Sequence, residues 1–294
     1  MARNAVSCLR ENHAPGQVSR GDSSPKFSVN KVSESTEEKS ERHQRSNKIA
    51  NREDGFLVSP REIKERKNDA DEDAGASLGY NTGVKITDDY SVLRTSGAQV
   101  LIDFTRPEGT KEFLKICSDA GIGMVIGTTG LDAEGKAAIE EAAKVIPIVF
   151  SPNMSVGVNV TYKLLELAAK LLKDYDAEIF EMHHNRKVDA PSGTAIAMGK
   201  AIADARGQNF EEVAVWARQG HTGPRVPGSI GFAALRGGDV VGDHQVTFAG
   251  SGERIVISHL SSSRAGYAQG AVKAALWEAE KKPGLYSMSD VLGL

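Results

Sequence analysis

The chain has little cysteine, little net charge and no long apolar run. Its two cysteines, Cys8 and Cys117, stand far apart and match no metal or redox spacing, so a reducing cytoplasm is the default compartment. A formal net charge of -3 gives no electrostatic case for nucleic acid or an anionic membrane surface. No stretch approaches the run of about 20 apolar residues that spans a bilayer. A soluble intracellular protein is expected. Its 294 residues, 40% of them hydrophobic, suffice for two domains, each with a core.

Apolar residues are scarcest in residues 1–74, which are crowded with Ser, Glu, Lys, Arg and Asn around a single apolar cluster, Phe56-Leu57-Val58. Burial of so little cannot offset the entropy of ordering, and a disordered leader is expected, with a short helix near Pro60 to Lys67. The missing apolar core excludes a secretory signal. Glu34, Glu37, Glu38 and Glu41 break the acid-poor pattern of transit peptides.

From Gly83 onward, strand and helix patterns alternate. Gln99 to Phe104 is a short apolar run of the kind buried in a parallel sheet. Thr105 is a candidate cap for a helix that opens on Pro107 and Glu108 and buries Thr110, Phe113, Leu114 and Cys117. A strand over Met124 to Ile126 leads into Gly127-Thr128-Thr129-Gly130; a helix from about Asp132 to Lys144 and a strand over Ile146 to Phe150 follow. This β-α-β-α-β series predicts a parallel sheet with right-handed crossovers, whose strand exits share one edge. Doubly wound sheets bind nucleotides at that edge. Here it carries Thr105-Arg106, Gly127-Thr128-Thr129 and Ser151-Pro152-Asn153-Met154. Each is weak alone, and Gly-Thr-Thr-Gly after a strand equally describes a plain turn.

A helix beginning near Ser155, with Leu164, Leu165, Ala168, Leu171 and Leu172 along one side, precedes a strand over Asp176 to Met182. A helix over Thr194 to Ala205 buries Ala195, Met198, Ile202 and Ala205. Strands follow over Val213 to Arg218, Ile230 to Arg236, Val240 to Phe248 and Arg254 to His259, and a closing helix over Arg264 to Lys281 places Tyr267, Ala271, Ala274 and Glu278 at helical spacing. Successive strands without intervening helices predict a mixed, open sheet.

Between the two halves lies the densest chemistry, Glu181 to Thr194. Ser192 is a good helix cap, and the first amides beyond it, of Gly193, Thr194 and Ala195, would face outward at the positive end of the helix as a carboxylate or phosphate site. Arg186 and Lys187 add positive charge just upstream. His183 and His184 are neighbours at a strand end and point in roughly opposite directions, so one could face a substrate while the other braces the loop. An imidazole beside a lysine can bind an anion and supply a proton near neutral pH. The same stretch also reads as a solvated basic loop with packed histidines. No carboxylate or cysteine is spaced to complete a metal shell, so no metal is expected.

The string EMHHNRKVDAPSGTA resembles the signature of the dihydrodipicolinate reductase family. VLIDFTRPEGT, GMVIGTTG, NMSVGVNV, RQGHTGPRVPGSIGF, RGGDVVGDH and the terminal DVLGL resemble that family in the same order, from about Asp73 to Leu294. The resemblance implies hydride transfer from NADH or NADPH to a cyclic dicarboxylate, 4-hydroxy-tetrahydrodipicolinate, in lysine and diaminopimelate biosynthesis. It places His183 and Lys187 as the catalytic pair, with His184, Gly193 and Thr194 on the substrate. Gly127, Thr128, Thr129, Ser151, Pro152, Asn153, Met154 and Arg264 fall at cofactor positions. It implies an α/β architecture: an incomplete Rossmann-like sheet over 75–153 with 264–294, and an α+β substrate and oligomerisation domain over 154–263. The open mixed sheet of the latter would form a cytoplasmic homotetramer.

The family opens on a strand and a glycine-rich loop of the form GxxGRMG. Gly16 and Gly21 follow no apolar run, and nothing in the first seventy or so residues reads as strand, glycine turn and helix. The second strand is missing too; Glu65-Arg66 is a faint candidate for its ribose-binding pair. The leader is therefore expected to be foreign to the fold, which would strip the Gln99 to Phe104 strand of a neighbour. Two functions follow: an active reductase, or a chain that binds the dicarboxylate or assembles with subunits while lacking productive dinucleotide binding. A two-domain dehydrogenase of another substrate fits the His-His and Ser-Gly-Thr elements less well.

Overall fold

Apolar runs of four residues, each closed by a Gly, Thr or Ser turn, set up the first sheet. The computed structural model describes residues 57–58, 73–74 and 81–294. The chain forms two compact units, Met1–Ala98 and Gln99–Leu294. In the first, β1 (Leu57–Val58), from the apolar cluster of the leader, pairs in parallel with β2 (Ile86–Thr87). The Asp73 carboxylate accepts hydrogen bonds from the Thr82 and Gly83 amides. A short helix, α1 (Val92–Thr95), follows. The helix expected near Pro60 to Lys67 lies outside the described residues.

In the second unit, β3 (Val100–Asp103), α2 (Pro107–Ala120), β4 (Gly123–Ile126), α3 (Ala133–Ala142) and β5 (Pro147–Phe150) alternate, and the three strands are parallel. Helix α2 buries the four residues its pattern predicts, Thr110, Phe113, Leu114 and Cys117. Thr105 does not cap it: the cap position is Arg106, and the Thr105 hydroxyl goes instead to the Asp103 carboxylate at 2.6 Å. The chain's end returns as α7 (Ala265–Glu278), β11 (Gly284–Tyr286) and α8 (Met288–Leu292), and β11 joins the sheet beside β5. The order is therefore β11-β5-β4-β3. Among the described strands β3 is an edge. Val125, Val149, Met154, Ala271, Ala274 and Met288 form the core beneath.

The second sheet has the order β10-β9-β6-β8-β7, from β6 (Asp176–His183), β7 (Ala214–Val215), β8 (Ile230–Arg236), β9 (Gly242–Ala249) and β10 (Arg254–Ser261). β6 runs parallel to β8 and antiparallel to β9, so the sheet is mixed. Helix α4 (Val156–Leu171) precedes β6, helix α5 (Gly193–Arg206) follows it, and both share with this sheet a core of Leu165, Met198, Ile202, Phe232 and Phe248. The strand expected over Val213 to Arg218 shrinks to β7, because Asn209 caps a one-turn helix, α6 (Phe210–Val213), just before it. On α4 the buried line is Val158, Thr161, Leu165 and Ala169, whereas Leu164 and Leu171 are exposed. Apolar residues line more than one side of that helix, and the packed side is the one with smaller residues. The other face of the sheet exposes Phe180, Leu235, Val256 and Leu260, as period-two alternation requires.

One buried group works against this core. Glu278 lies fully buried on α7 with no cation paired to its carboxylate among the described residues, and burial, opposed only by the Met124 backbone amide, pushes its pKa up to about 8. Its folded pKa exceeds the unfolded value of 4.5, so folding takes up a proton between those pH values. This group's stabilising contribution is full below the lower value and is lost as pH rises toward the higher, at roughly 1.4 kcal/mol per pH unit. Glu278→Gln should flatten that slope. Urea unfolding at about pH 5 and about pH 8 checks it: the wild type should lose stability relative to the variant at the higher pH.

Candidate active site

Strand β6 places Glu181 and His183 two residues apart, hence on the same buried face. The Glu181 carboxylate, 1% exposed, takes His183 Nδ1 at 2.6 Å, the two terminal guanidinium nitrogens of Arg236 at 2.8 and 2.9 Å, and the Ser192 amide at 3.1 Å. Burial alone would raise its pKa, but the hydrogen bonds and charge of Arg236 and His183 hold it below the usual value. The carboxylate is therefore ionised at neutral pH. Register supplies the rest: Arg236 on β8 pairs with His183, and His244 on β9 lies opposite Glu181. The His183 and His244 rings meet edge to face, with centroids 5.1 Å apart.

Ser192 caps α5 by accepting the Ala195 amide at 3.1 Å, and the same oxygen pairs with His244 Nε2 at 2.8 Å. Burial, and then the neighbouring His183, push His244 down to about 4, so it is neutral at pH 7. The expectation of three free amides is corrected here. Ser192 consumes that of Ala195, and only Gly193 and Thr194 keep amides without an acceptor among the described residues. Those two still point the positive end of a helix at the site.

His184 sits at the rim with its Nδ1 buried and unpartnered among the described residues; burial, then Arg186 and Arg264, lower its pKa. Lys187 is mostly buried, and its ammonium grips the exposed Asp189 carboxylate at 2.7 and 2.8 Å. That bond holds the Asp189 pKa down. Arg236 also reaches the Asp189 carbonyl at 2.7 Å, tying the loop to the sheet.

At the strand exits of the first sheet, a Cβ on Gly127 would fall on the Phe104 ring, so only glycine fits there. Thr128 is buried, and its hydroxyl lies 3.4 Å from the Asp103 carboxylate, which also holds Thr105 and Thr110. Thr129 and Pro152 are exposed on the same edge. The Ser151 hydroxyl donates to the Asn153 carbonyl. Met154 departs from the rest: its side chain is fully buried in the core, so only its backbone faces the exit. Asn153 Nδ2 donates to Thr194 Oγ1 at 3.2 Å, so the exit loop of β5 touches the start of α5. Arg264 is the exposed cap residue of α7, near enough to His184 to act on it electrostatically. These exits suit the nicotinamide end of a dinucleotide; among the described residues no glycine-rich strand-to-helix turn precedes β3 to cradle a pyrophosphate. Nor does any group of three His, Cys, Asp or Glu among them suit a metal ion.

Sequence reasoning assigned no role to Glu181, Arg236, His244 or Asp103. The Glu-x-His spacing on a strand was a readable signal for the first. Arg236 and His244 needed the strand register.

Ser192 joins a helix cap to a buried imidazole. Ser192→Ala should therefore cost about 1 kcal/mol for the cap and a similar amount for the orphaned His244 nitrogen. Equilibrium urea unfolding of the variant reads that loss directly.

Against this geometry, two family models match: "Dihydrodipicolinate reductase, N-terminus" over residues 43–154 and "Dihydrodipicolinate reductase, C-terminus" over residues 157–292. A curated relative from Cupriavidus metallidurans, named 4-hydroxy-tetrahydrodipicolinate reductase, is 61% identical over 224 residues, covering 76% of this chain and 84% of its own. One of the same name from Polynucleobacter necessarius is 59% identical over 224 residues, with the same coverage of 76% and 84%. The solved dihydrodipicolinate reductase of Paenisporosarcina sp. TG-14, with dipicolinate bound, shares the fold at a TM-score of 0.61 and 24% identity, covering 84% of this chain and 93% of that one. The order of the motifs, the two sheets and these matches lead to one conclusion: the chain belongs to the dihydrodipicolinate reductase family.

Proposed function

We propose that this chain is a 4-hydroxy-tetrahydrodipicolinate reductase, which reduces a cyclic dicarboxylate to tetrahydrodipicolinate with NADH or NADPH. Close curated relatives carry that name, and the reaction belongs to lysine and diaminopimelate biosynthesis. The observation that carries the reading is the Asn153 to Thr194 hydrogen bond, which joins the loop suited to the cofactor to the helix suited to the substrate. When bound, the nicotinamide cofactor supplies the hydride. Gly127, Thr128, Thr129, Ser151, Pro152, Asn153, the Met154 backbone and Arg264 would hold it.

His184 and the free amides of Gly193 and Thr194 would take the substrate carboxylates. Lys187 is held by Asp189, an exposed partner whose carboxylate regains water when it lets go. A substrate carboxylate or a ring nitrogen can therefore take its place on the ammonium. His183 and Lys187 would then serve the proton exchange of the reduction, in which the ring gains hydride and its 4-hydroxyl leaves with a proton as water. The assignment follows the division into residues 75–153 with 264–294 for the cofactor and 154–263 for the substrate. The apolar open face, with Phe180, Leu235, Val256 and Leu260, supports assembly as a homotetramer. Among the described residues no helix is long and apolar enough to cross a membrane, and a cytoplasmic location fits the reaction.

Oxidation of NADPH or NADH by the purified chain with the cyclic substrate tests the reading, and steady turnover is expected. His183→Ala and Lys187→Ala should each lower kcat by roughly 10²–10⁴-fold while the circular dichroism spectrum stays that of the wild type. Substrate binding without measurable dinucleotide affinity would overturn the reductase in favour of a dicarboxylate-binding subunit.

A further inference from the structure

We infer that Glu181 and Gly242 act together as the positioning device of the site, holding His183 with its proton on Nδ1 and leaving Nε2 as the nitrogen open to substrate. The inference rests on the reading above that His183 exchanges a proton with the substrate; it adds which nitrogen does so and what selects it.

A carboxylate only accepts hydrogen bonds, so the 2.6 Å contact from His183 Nδ1 to Glu181 requires the hydrogen on Nδ1. Glu181 is itself fully committed. Its two oxygens offer about four acceptor sites, and four donors fill them: His183 Nδ1, Arg236 Nη1 and Nη2, and the Ser192 amide. Turning the carboxylate out of its plane would break these bonds, so its plane and the ring it holds are fixed. On the opposite side of the ring, a Cβ added to Gly242 would stand 3.0 Å from Nε2 and 3.4 Å from Cδ2. Any other residue at that position would press on the free nitrogen. Among the described residues Nε2 makes no hydrogen bond. The groups facing the ring are Glu181 from β6, Arg236 from β8 and His244 from β9, with His184 and Lys187 at the loop beyond. Arg236 and His244 bear on His183 without taking its nitrogens. Glu181 also anchors the Ser192 amide at the start of α5, so one carboxylate sets the distance between the proton-exchanging ring and the substrate-binding amides.

The test uses the full-length chain, 15N-labelled, with the His183 signals identified by their loss in His183→Gln. In the wild type at about pH 8, long-range 15N–1H correlation should show His183 protonated at Nδ1 and bare at Nε2. A gain of the Nε2-protonated form and a fall in kcat of roughly 10–100-fold are expected in Glu181→Gln, whose amide must turn at least one donor toward another donor. Should that variant not fold, the wild-type tautomer and Gly242→Ala still decide the matter. Gly242→Ala should shift the His183 ring signals and lower kcat while leaving the melting temperature near that of the wild type. A wild-type ring bare at Nδ1, or a folded Glu181→Gln with unchanged tautomer and kcat, would overturn the role of Glu181. Unchanged kcat and ring signals in Gly242→Ala would overturn that of Gly242. Absence of turnover in the wild type strikes the reductase reading instead, and the tautomer measurement stands apart from it.

Discussion

The bond between Arg236 and Glu181 is the interaction on which the rest of the site depends. It spans two neighbouring strands, and on the carboxylate side it is almost wholly removed from water. Breaking such a pair by deleting one member typically costs about 3–5 kcal/mol, because the surviving charge is left buried alone. Here the carboxylate does more than neutralise an arginine. It also takes the His183 ring and the Ser192 amide, so one buried charge fixes a strand end and a helix start relative to each other. His244 completes the frame from the third strand by pairing with the Ser192 hydroxyl. A site with positive charge at its rim from Arg186, Lys187, Arg264 and the start of α5 needs that internal negative charge to keep its imidazole oriented.

Asp103 plays a similar part on the other sheet. Buried at the end of β3, it receives Thr105, Thr110 and Thr128, and so ties the exits of two adjacent strands to one carboxylate. The exit of the third strand is built differently, from the Ser151 hydroxyl and the Asn153 side chain. Asn153 then reaches across to Thr194. A hydrogen bond between short polar side chains therefore joins the exit loop of β5 to the start of α5, while the strands behind them are closed by apolar packing. Hydride transfer demands reacting atoms held a few ångströms apart, and loops braced by buried carboxylates are a physical way to meet that demand.

Most of the elements were legible because their periodicity was clean. The pattern on α2 named all four of its buried residues, and the run from Ile230 to Arg236 matched its strand end to end. Failures came where two signals competed. The apolar residues of α4 surround more than one side, and of the line chosen from the sequence Leu164 and Leu171 are exposed, while Leu165 is buried and Ala168 and Leu172 pack against the core. Thr105 had the chemistry of a cap, yet the helix starts one residue later, with Arg106 at the cap position, and the Thr105 hydroxyl donates to the Asp103 carboxylate. The strand β11 was overlooked because three residues after a helix carry almost no periodicity.

By itself the sequence determined the parallel series of strands, the mixed sheet that follows, the capped helix at Ser192 and the cluster of His183, His184 and Lys187, since each of these rests on neighbours within a few residues. Only the tertiary structure decided which partners complete them. Arg236 and His244 lie more than fifty residues beyond His183 and reach it through strand register, and Asn153 finds Thr194 only because folding brings the exit loop of β5 to the start of α5. Buried carboxylates such as Glu181 and Asp103 look like ordinary charged residues in a linear chain. Their meaning appears when folding removes the water and leaves specific donors in its place.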